Sequence, residues 1–187
     1  VYKVNCMIKL VQDLKNFLAK RPDREQEAKR TVELIQKQWE RCLYRDCWDD
    51  GHITWSLFVF NPSRSKVLLM HHLKFDQWQQ FGGHADGDPD ILATAIREFQ
   101  EEAWVDIVPE VFWEDIFDVE IHHISSSGDE PSHMHYDIRY AATISENVSF
   151  TCEEGKVGGI EWVEIERVGE YNDREWFEKV IKKTRSR

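Results

Sequence analysis

The feature that most constrains this chain is a glycine pair followed by an acidic turn and an amphipathic helix, in the segment GGHADGDPDILATAIREFQEEAWV. We predict that the helix begins with Asp88 as its N-cap and Pro89 at the first helical position, where a missing N–H costs nothing. Its apolar face consists of Leu92, Ile96, Phe99 and Ala103. This spacing predicts a surface helix with one buried side.

Three carboxylates share a second arc of the same helix. Glu98, Glu101 and Glu102 stand at positions i, i+3 and i+4, so they lie within about one turn of each other. Like charges at this spacing repel by about 0.2–0.5 kcal/mol per pair. A bound Mg²⁺ or Mn²⁺ ion would remove the penalty, because hard cations take oxygen ligands. The alternative is an ordinary solvated acidic face, as most charge runs are.

Two neighbours of the acidic face favour the metal interpretation. The glycine turn can bring a backbone carbonyl close to an ion, and we assign that carbonyl to Gly83. Arg97 can pair with Glu101 one turn later and hold that carboxylate in one rotamer. The glycines, Arg97 and the acids therefore occur in a fixed order that a random acidic face does not require.

The segment resembles the Nudix box, G-x5-E-x7-R-E-U-x-E-E-x-G-U, in which U is a bulky apolar residue. Two positions depart from the pattern, since Pro89 replaces the first glutamate and Trp104 replaces a glycine. The stretches HHLKFDQWQQFGGHADGD and EPSHMHYDIRY also resemble a bacterial Nudix subgroup with His-rich motifs, and the likeness spans residues 51–166. The residues in register are Gly83, Arg97, Glu98, Phe99, Glu101, Glu102 and Val105.

The resemblance implies an α+β Nudix fold, with a mixed β-sheet sandwiched between helices. It also implies Mg²⁺-dependent hydrolysis of a diphosphate linkage in a nucleoside diphosphate derivative, such as a nucleoside triphosphate, ADP-ribose or a sugar nucleotide. Arg97 and the three glutamates would form the catalytic set, and Gly83 would complete the metal ligands. The general base would be Glu98 or a residue of a later loop, Glu153 or Glu154.

Two other classes of function compete with a hydrolase. A catalytically silent Nudix-fold module that binds nucleotide would agree with Pro89 and Trp104, although such sensors usually lose metal-binding acids. An isomerase of prenyl diphosphates would need a catalytic cysteine, and none lies near the glycine pair or the acids in sequence. The three retained glutamates favour the hydrolase.

The rest of the chain predicts helices at both ends and strands between them. Apolar periodicity predicts helices over residues 5–18 and 23–43, the second with Ala28, Val32, Ile35, Trp39 and Leu43 on one side. We divide the chain into an N-terminal helical extension, residues 1–48, and a Nudix domain, residues 49–187. Strands are predicted at HITWSLFVF, KVLLMH, FDVEIHHI, HMHYDIRYAATI and IEWVEI, before a final helix over residues 172–183.

Histidines alternate along two of the predicted strands. If those strands are antiparallel neighbours, His122, His133 and His135 approach the distances that a transition-metal ion requires, which makes them a second candidate metal site. The alternative is that they form local hydrogen bonds or touch the substrate. Candidate substrate-binding residues are Lys74, His84, Arg139 and Trp78.

Composition limits the partners. With 35 acidic and 24 basic residues, the 187-residue chain has a formal charge of -11 and would repel an extended nucleic acid, whereas a small phosphorylated substrate remains compatible. The four cysteines have no disulfide-scaffold spacing, and no signal peptide or membrane span is evident. We expect a cytoplasmic protein without membrane contact, and a homodimer is left open.

Overall fold

The computed structural model describes residues 1–111, 116–152 and 155–172, together with Phe177 and Ile181. These residues form two compact units. The first comprises Val1–Ser56, Gly82–Ala95 and Trp113–Tyr140, and the second comprises Leu57–Phe81, Ile96–Phe112 and Ala141–Arg187.

Two long helices open the first unit. Helix α1 spans Tyr2–Lys20 and helix α2 spans Glu25–Gln38, joined by a 3-10 turn at Pro22–Arg24. Both predicted helices are present, and Ala28 and Ile35 are buried as predicted, whereas Val32 is half-buried and Trp39 is 39 % exposed. A separate 3-10 turn, Trp39–Leu43, follows α2 where the sequence predicts one continuous helix. The buried positions are Met7, Leu10, Leu14 and Phe17 in α1, and Ala28, Thr31, Leu34 and Ile35 in α2.

The described residues form eight strands, including all five that the sequence predicts. Their bounds are β1 His52–Phe60, β2 Lys66–His72, β3 Gln77–Gln79, β4 Phe81–His84, β5 Glu110–Val111, β6 Asp118–Ile124, β7 His133–Thr143 and β8 Val157–Glu164. Strand β1 is buried along its whole length, including its polar residues His52, Thr54 and Ser56, and its richness in β-branched and aromatic residues is typical of a strand.

Within the first unit, β6 and β7 are antiparallel neighbours, as the histidine argument requires. Their register places His122 opposite His135 and Glu120 opposite Asp137. Because side chains alternate along a strand, His133, His135 and Asp137 lie on one face of β7. The polar residues of both strands are thereby gathered on one side.

The second unit is built around β2. This strand is antiparallel to β3, to β8 and to the end of β1, where Val59 lies opposite Leu68. Phe81 and Phe99 pack edge to face in its core, with ring centroids 4.8 Å apart. A short helix α4, Val168–Tyr171, precedes the helix that the sequence predicts over residues 172–183. Within that predicted range, the described residues Phe177 and Ile181 are helical and buried.

Helix α3 spans Ile91–Ala103 and begins later than the sequence predicts. Its N-cap is Asp90 rather than Asp88, because Asp90 Oδ1 accepts a hydrogen bond from the Ala93 N–H at 3.1 Å. Asp88 instead accepts from the Asp90 N–H at 3.0 Å and closes the preceding turn. Pro89 therefore stands just before the helix, between two capping aspartates.

The C-terminal end of α3 is a Schellman motif with an unusual residue in it. The Val105 N–H donates to the Gln100 carbonyl at 3.0 Å, and the Trp104 N–H donates to the Glu101 carbonyl at 3.4 Å. Trp104 adopts a φ of 50°, in the left-handed region where glycine is preferred, and its side chain is 67 % exposed. The turn therefore keeps the geometry of the family's glycine while carrying a tryptophan.

We predict that Trp104→Gly stabilises the protein. Glycine adopts this φ without the Cβ penalty, which outweighs its greater freedom in the unfolded chain, so the free energy of unfolding should rise by about 0.5–1 kcal/mol. Urea unfolding followed by circular dichroism measures the change. Trp104→Ala is the matched control, because it removes the indole but keeps the Cβ and should show no such gain. A Trp104→Gly variant less stable than the alanine variant would contradict the assignment.

Candidate functional site

The three predicted glutamates sit in very different environments. Glu101 is 59 % exposed, Glu98 is 21 % exposed, and Glu102 is 2 % exposed at the side chain. Arg97 reaches both carboxylate oxygens of Glu101 at 3.0 Å and also contacts Glu98 at 3.1 Å. The predicted Arg97–Glu101 pair is confirmed. Solvent exposure along the acidic face thus falls from Glu101 through Glu98 to the buried Glu102.

Glu102 is balanced by a cation that sequence reasoning missed. The Lys156 ammonium lies 2.6 Å from Glu102 Oε1, and the lysine side chain is itself 44 % exposed. A buried carboxylate is strongly disfavoured without such a partner. The position of Glu102 therefore accommodates positive charge next to it. Lys156 stands directly after the turn at Gly155, and no local pattern in the sequence connects it with α3.

A second lysine lies close to the first. The backbone N–H of Leu73 donates to the Lys156 carbonyl at 3.1 Å, which brings Lys74 to the same end of β2. The pKa of His72 is lowered, first by burial and then by the charges of Lys156 and Lys74. Lys74 is exposed, with its ammonium 5.5 Å from the centre of the Phe75 ring. Lys156 and Lys74 therefore both lie close to His72.

Trp78 is a half-buried aromatic side chain on β3. Its ring packs against His71 at 5.3 Å and edge to face against Tyr171 at 5.7 Å, measured between ring centroids. A Cβ on Gly159 would come within 3.3 Å of the indole, so this glycine leaves room for the ring. Two other aromatic side chains, those of Trp55 and Tyr136, are buried.

Histidines gather in the first unit around the start of β1. Among the described residues, His52, His133 and His135 each offer one ligand atom, and these atoms all lie within 4.8 Å of one another. His122, which the sequence groups with His133 and His135, packs against His135 with ring centroids 5.4 Å apart. His84 contacts both His52 and His135 at 5.1 and 5.3 Å between centroids.

Burial favours the neutral form of three of these rings, those of His52, His84 and His135. Desolvation, followed by the charges of neighbouring histidines, lowers the pKa of His52 to about 4 and that of His135 to about 2. The pKa of His84 is lowered by burial and then by the charge of Arg45. A backbone hydrogen bond with Cys47 acts in the opposite direction on the pKa of His52 and does not reverse its lowering. Neutral imidazoles offer lone pairs, which is the form that binds a metal ion.

Arg139 occupies an interior ion-pair network. Its guanidinium, 1 % exposed, contacts Asp137 at 2.8 Å and Asp118 at 3.3 Å. Asp118 also accepts from Arg24 at 3.0 Å, and Glu120 lies within 3.6 Å of both arginines. Burial raises the pKa of Glu120, against the opposing charges of Arg139 and Arg24. This geometry supports a structural role for Arg139 rather than the phosphate contact that the sequence suggests.

Of the remaining predicted site residues, Gly83 is described and two glutamates are not. Gly83 lies in β4. Glu153 and Glu154, the later-loop candidates for the general base, fall outside the described residues.

Comparison with known proteins shows which family and which solved structures the chain is similar to. The model of the NUDIX domain matches residues 50–184. A C. elegans Ap4A hydrolase in a binary complex superposes with a TM-score of 0.56 at 16 % identity, covering 72 % of this chain and 95 % of that one. The E. coli dihydroneopterin triphosphate pyrophosphohydrolase superposes with a TM-score of 0.56 at 13 % identity, covering 70 % of this chain and 92 % of that one. A Shewanella oneidensis NrtR NUDIX domain complexed with ADP ribose superposes with a TM-score of 0.50 at 20 % identity, covering 72 % of this chain and 86 % of that one.

The chain belongs to the Nudix family, since the family model spans more than half of its length. The predicted α+β class, with a mixed sheet and helices on both sides, is confirmed. No curated protein matches the sequence. Among the described residues, no helix is long and apolar enough to cross a membrane.

We predict that Arg139→Met destabilises the protein severely. Removing one partner of a buried ion pair leaves Asp137 and Asp118 short of a cation, and such losses amount to about 3–5 kcal/mol. Urea unfolding measures the effect. Lys74→Met, on the exposed surface, is the control and should shift the free energy of unfolding by less than about 0.5 kcal/mol. An Arg139→Met protein of unchanged stability with a raised KM would support phosphate contact instead.

Proposed function

We propose that this chain is a Mg²⁺- or Mn²⁺-dependent pyrophosphohydrolase that cleaves a diphosphate linkage in a nucleoside diphosphate derivative. The observation that carries the proposal is the acidic face of α3, with its buried Glu102 held against a lysine ammonium at 2.6 Å. Membership of the Nudix family, a family of pyrophosphohydrolases, supports it.

The donor set suits a hard divalent cation. Glu98, Glu101 and Glu102 supply carboxylate oxygens, which Mg²⁺ and Mn²⁺ prefer. Glu102 tolerates a positive charge at contact distance, because Lys156 already lies there. Gly83 remains the predicted backbone ligand. When bound, the ions would neutralise charge on the diphosphate oxygens and acidify a water molecule.

The chain's own residues would perform the other tasks. Arg97 fixes Glu101 through both carboxylate oxygens and so limits the rotamers that this ligand samples. Glu98 is partly exposed and can accept the proton of the attacking water, and Glu153 and Glu154 remain alternatives for that task. Lys156 and Lys74 would offset the negative charge that gathers on the phosphoryl oxygens.

The substrate's non-phosphate end would be chosen by aromatic and polar side chains. Trp78 has a half-buried ring that can stack on a base, and His84 is the other predicted contact. Nucleoside triphosphates, ADP-ribose and sugar nucleotides form the first substrate panel. Product identification by mass spectrometry would show which phosphate bond breaks.

The departures from the Nudix box leave the acidic face in place. Pro89 stands between Asp88, which closes the preceding turn, and Asp90, which caps α3, so the helix still begins in order. Trp104 preserves the turn at the end of α3. These observations favour an active enzyme over a silent nucleotide-binding module, which remains the alternative.

The proposal also includes a domain boundary and a cellular compartment. The family match begins at residue 50, which supports residues 1–48 as a helical extension and residues 49–187 as the Nudix domain. All four cysteines are described and carry free thiols, in agreement with a reducing compartment such as the cytoplasm.

Replacing Glu102 tests the proposal directly. Glu102→Gln should lower kcat/KM with Mg²⁺ by about 100-fold or more, because losing a metal ligand removes several kcal/mol of transition-state stabilisation. Glu33→Gln, an exposed change on α2, is the control and should retain full turnover. A wild-type protein that binds nucleotide without hydrolysing any member of the panel would overturn the hydrolase proposal and favour the silent module.

Lys156 should matter most when no metal is bound. In EDTA, Lys156→Met leaves the buried Glu102 carboxylate without its cation, and we expect a loss of about 1–2 kcal/mol, discounted because the lysine is partly exposed. Added Mg²⁺ should then stabilise this variant more than wild type, since the ion replaces the missing charge. Lys156→Arg is the charge-preserving control. Equal losses with and without Mg²⁺ would show that Glu102 is not a metal ligand.

A further inference from the structure

We propose that His52, His133 and His135 form a binding site for a transition-metal ion of the Zn²⁺ type, separate in chemistry from the carboxylate site. Each residue offers one ligand atom, and these atoms lie within 4.8 Å of one another. His133 Nε2 and His135 Nε2 lie 3.0 Å apart and share a hydrogen bond. Zn–N bonds of about 2.0–2.1 Å place tetrahedral ligands roughly 3.3 Å apart. The nitrogens that lie farthest apart would therefore move together by up to about 1.5 Å to place all three on one ion.

The orientation of His133 matches that of a metal ligand. Its Nδ1 donates to the Pro131 carbonyl at 2.7 Å, which leaves the lone pair on Nε2. Metal-ligating histidines almost always donate their second ring N–H to a carbonyl or carboxylate in this manner, because the bond fixes tautomer and ring orientation. The Nε2 lone pair of His133 points towards His135.

His52 supplies an independent observation. It is 1 % exposed, and neither of its ring nitrogens has a hydrogen-bond partner of good geometry among the described residues. A buried imidazole without partners is unfavourable by about 1–3 kcal/mol, so native proteins rarely keep one. Its ring stacks on His133 with centroids 4.8 Å apart and lies 4.7 Å from His135. The backbone of Cys47 can engage at most one of the two ring nitrogens, so coordination of an ion would satisfy the other.

The surroundings support a site for a borderline-soft ion. Imidazole nitrogens suit zinc, copper, nickel and iron, whereas magnesium prefers carboxylate and water oxygens. The Trp48 ring lies 4.8 Å from His133 and 5.9 Å from His52, and helps to exclude solvent. Three histidines leave a fourth position for water or a substrate atom. Since His52 belongs to β1 and the other two to β7, the ion would also clamp these strands.

Metal binding can be measured without any assay of hydrolysis. The full chain, stripped with chelator and dialysed, should bind one Zn²⁺ per molecule by calorimetry, and Co²⁺ should give the visible absorption of a four-coordinate site. His52→Asn and His135→Asn should each weaken Zn²⁺ binding by more than about 100-fold, since even outer partners of a ligand contribute 10–100-fold. His123→Asn is the matched control, because His123 is exposed on β6. Glu102→Gln should also retain the ion.

X-ray absorption of the zinc-loaded wild type keeps the proposal testable if a variant fails to fold. Scattering from three imidazoles is the expected result. Wild type without stoichiometric Zn²⁺, a coordination shell dominated by oxygen or sulfur, or unchanged affinity in folded His52→Asn and His135→Asn would each overturn the site. Equal loss in His123→Asn would overturn it too, because it would indicate surface binding.

Discussion

Charge burial is the constraint on which the rest of this structure depends. Glu102, Asp118, Asp137 and Arg139 are all nearly inaccessible to solvent, and an isolated ion in such surroundings would be far less stable than in water. Each is paired, Glu102 with Lys156 and the two aspartates with Arg139. The two networks nevertheless serve different ends. Asp137 also accepts hydrogen bonds from Thr54 and Ser56, so its network is satisfied within the protein.

The Glu102 pair differs because its cation is partly exposed. Lys156 keeps 44 % of its side chain in contact with solvent, and so a metal ion can compete for the carboxylate. Arg139 has no such freedom at 1 % exposure. A buried acid with a displaceable partner is suited to binding an ion, whereas a buried acid with a fixed partner is suited to holding strands together. Exposure of the cationic partner therefore separates Glu102, the acid that we propose as a metal ligand, from Asp118 and Asp137, although these acids look alike in sequence.

Local patterns predicted the parts of the fold that depend on local physics. The β-branched and aromatic residues of β1 and the three-to-four spacing of α1 each specify an element by themselves, and both elements are confirmed. Strands β3, β4 and β5 are short, and their polar or glycine-rich residues give no alternation to read. The cap of α3 was misplaced because two aspartates flank Pro89, and only the turn geometry decides which of them accepts from the helix.

The site was predictable to the extent that it lies on one element. Glu98, Glu101 and Glu102 share a helix, so their spacing alone places them together. Lys156 and His52 reach their partners only through strand pairing, which depends on contacts between residues distant in sequence. Register along β6 and β7 joined His122 to His135, but the position of β1 was needed to bring His52 to the cluster. The proposed ligand chemistry then follows from atom type, because carboxylate oxygens favour hard ions and imidazole nitrogens favour softer ones.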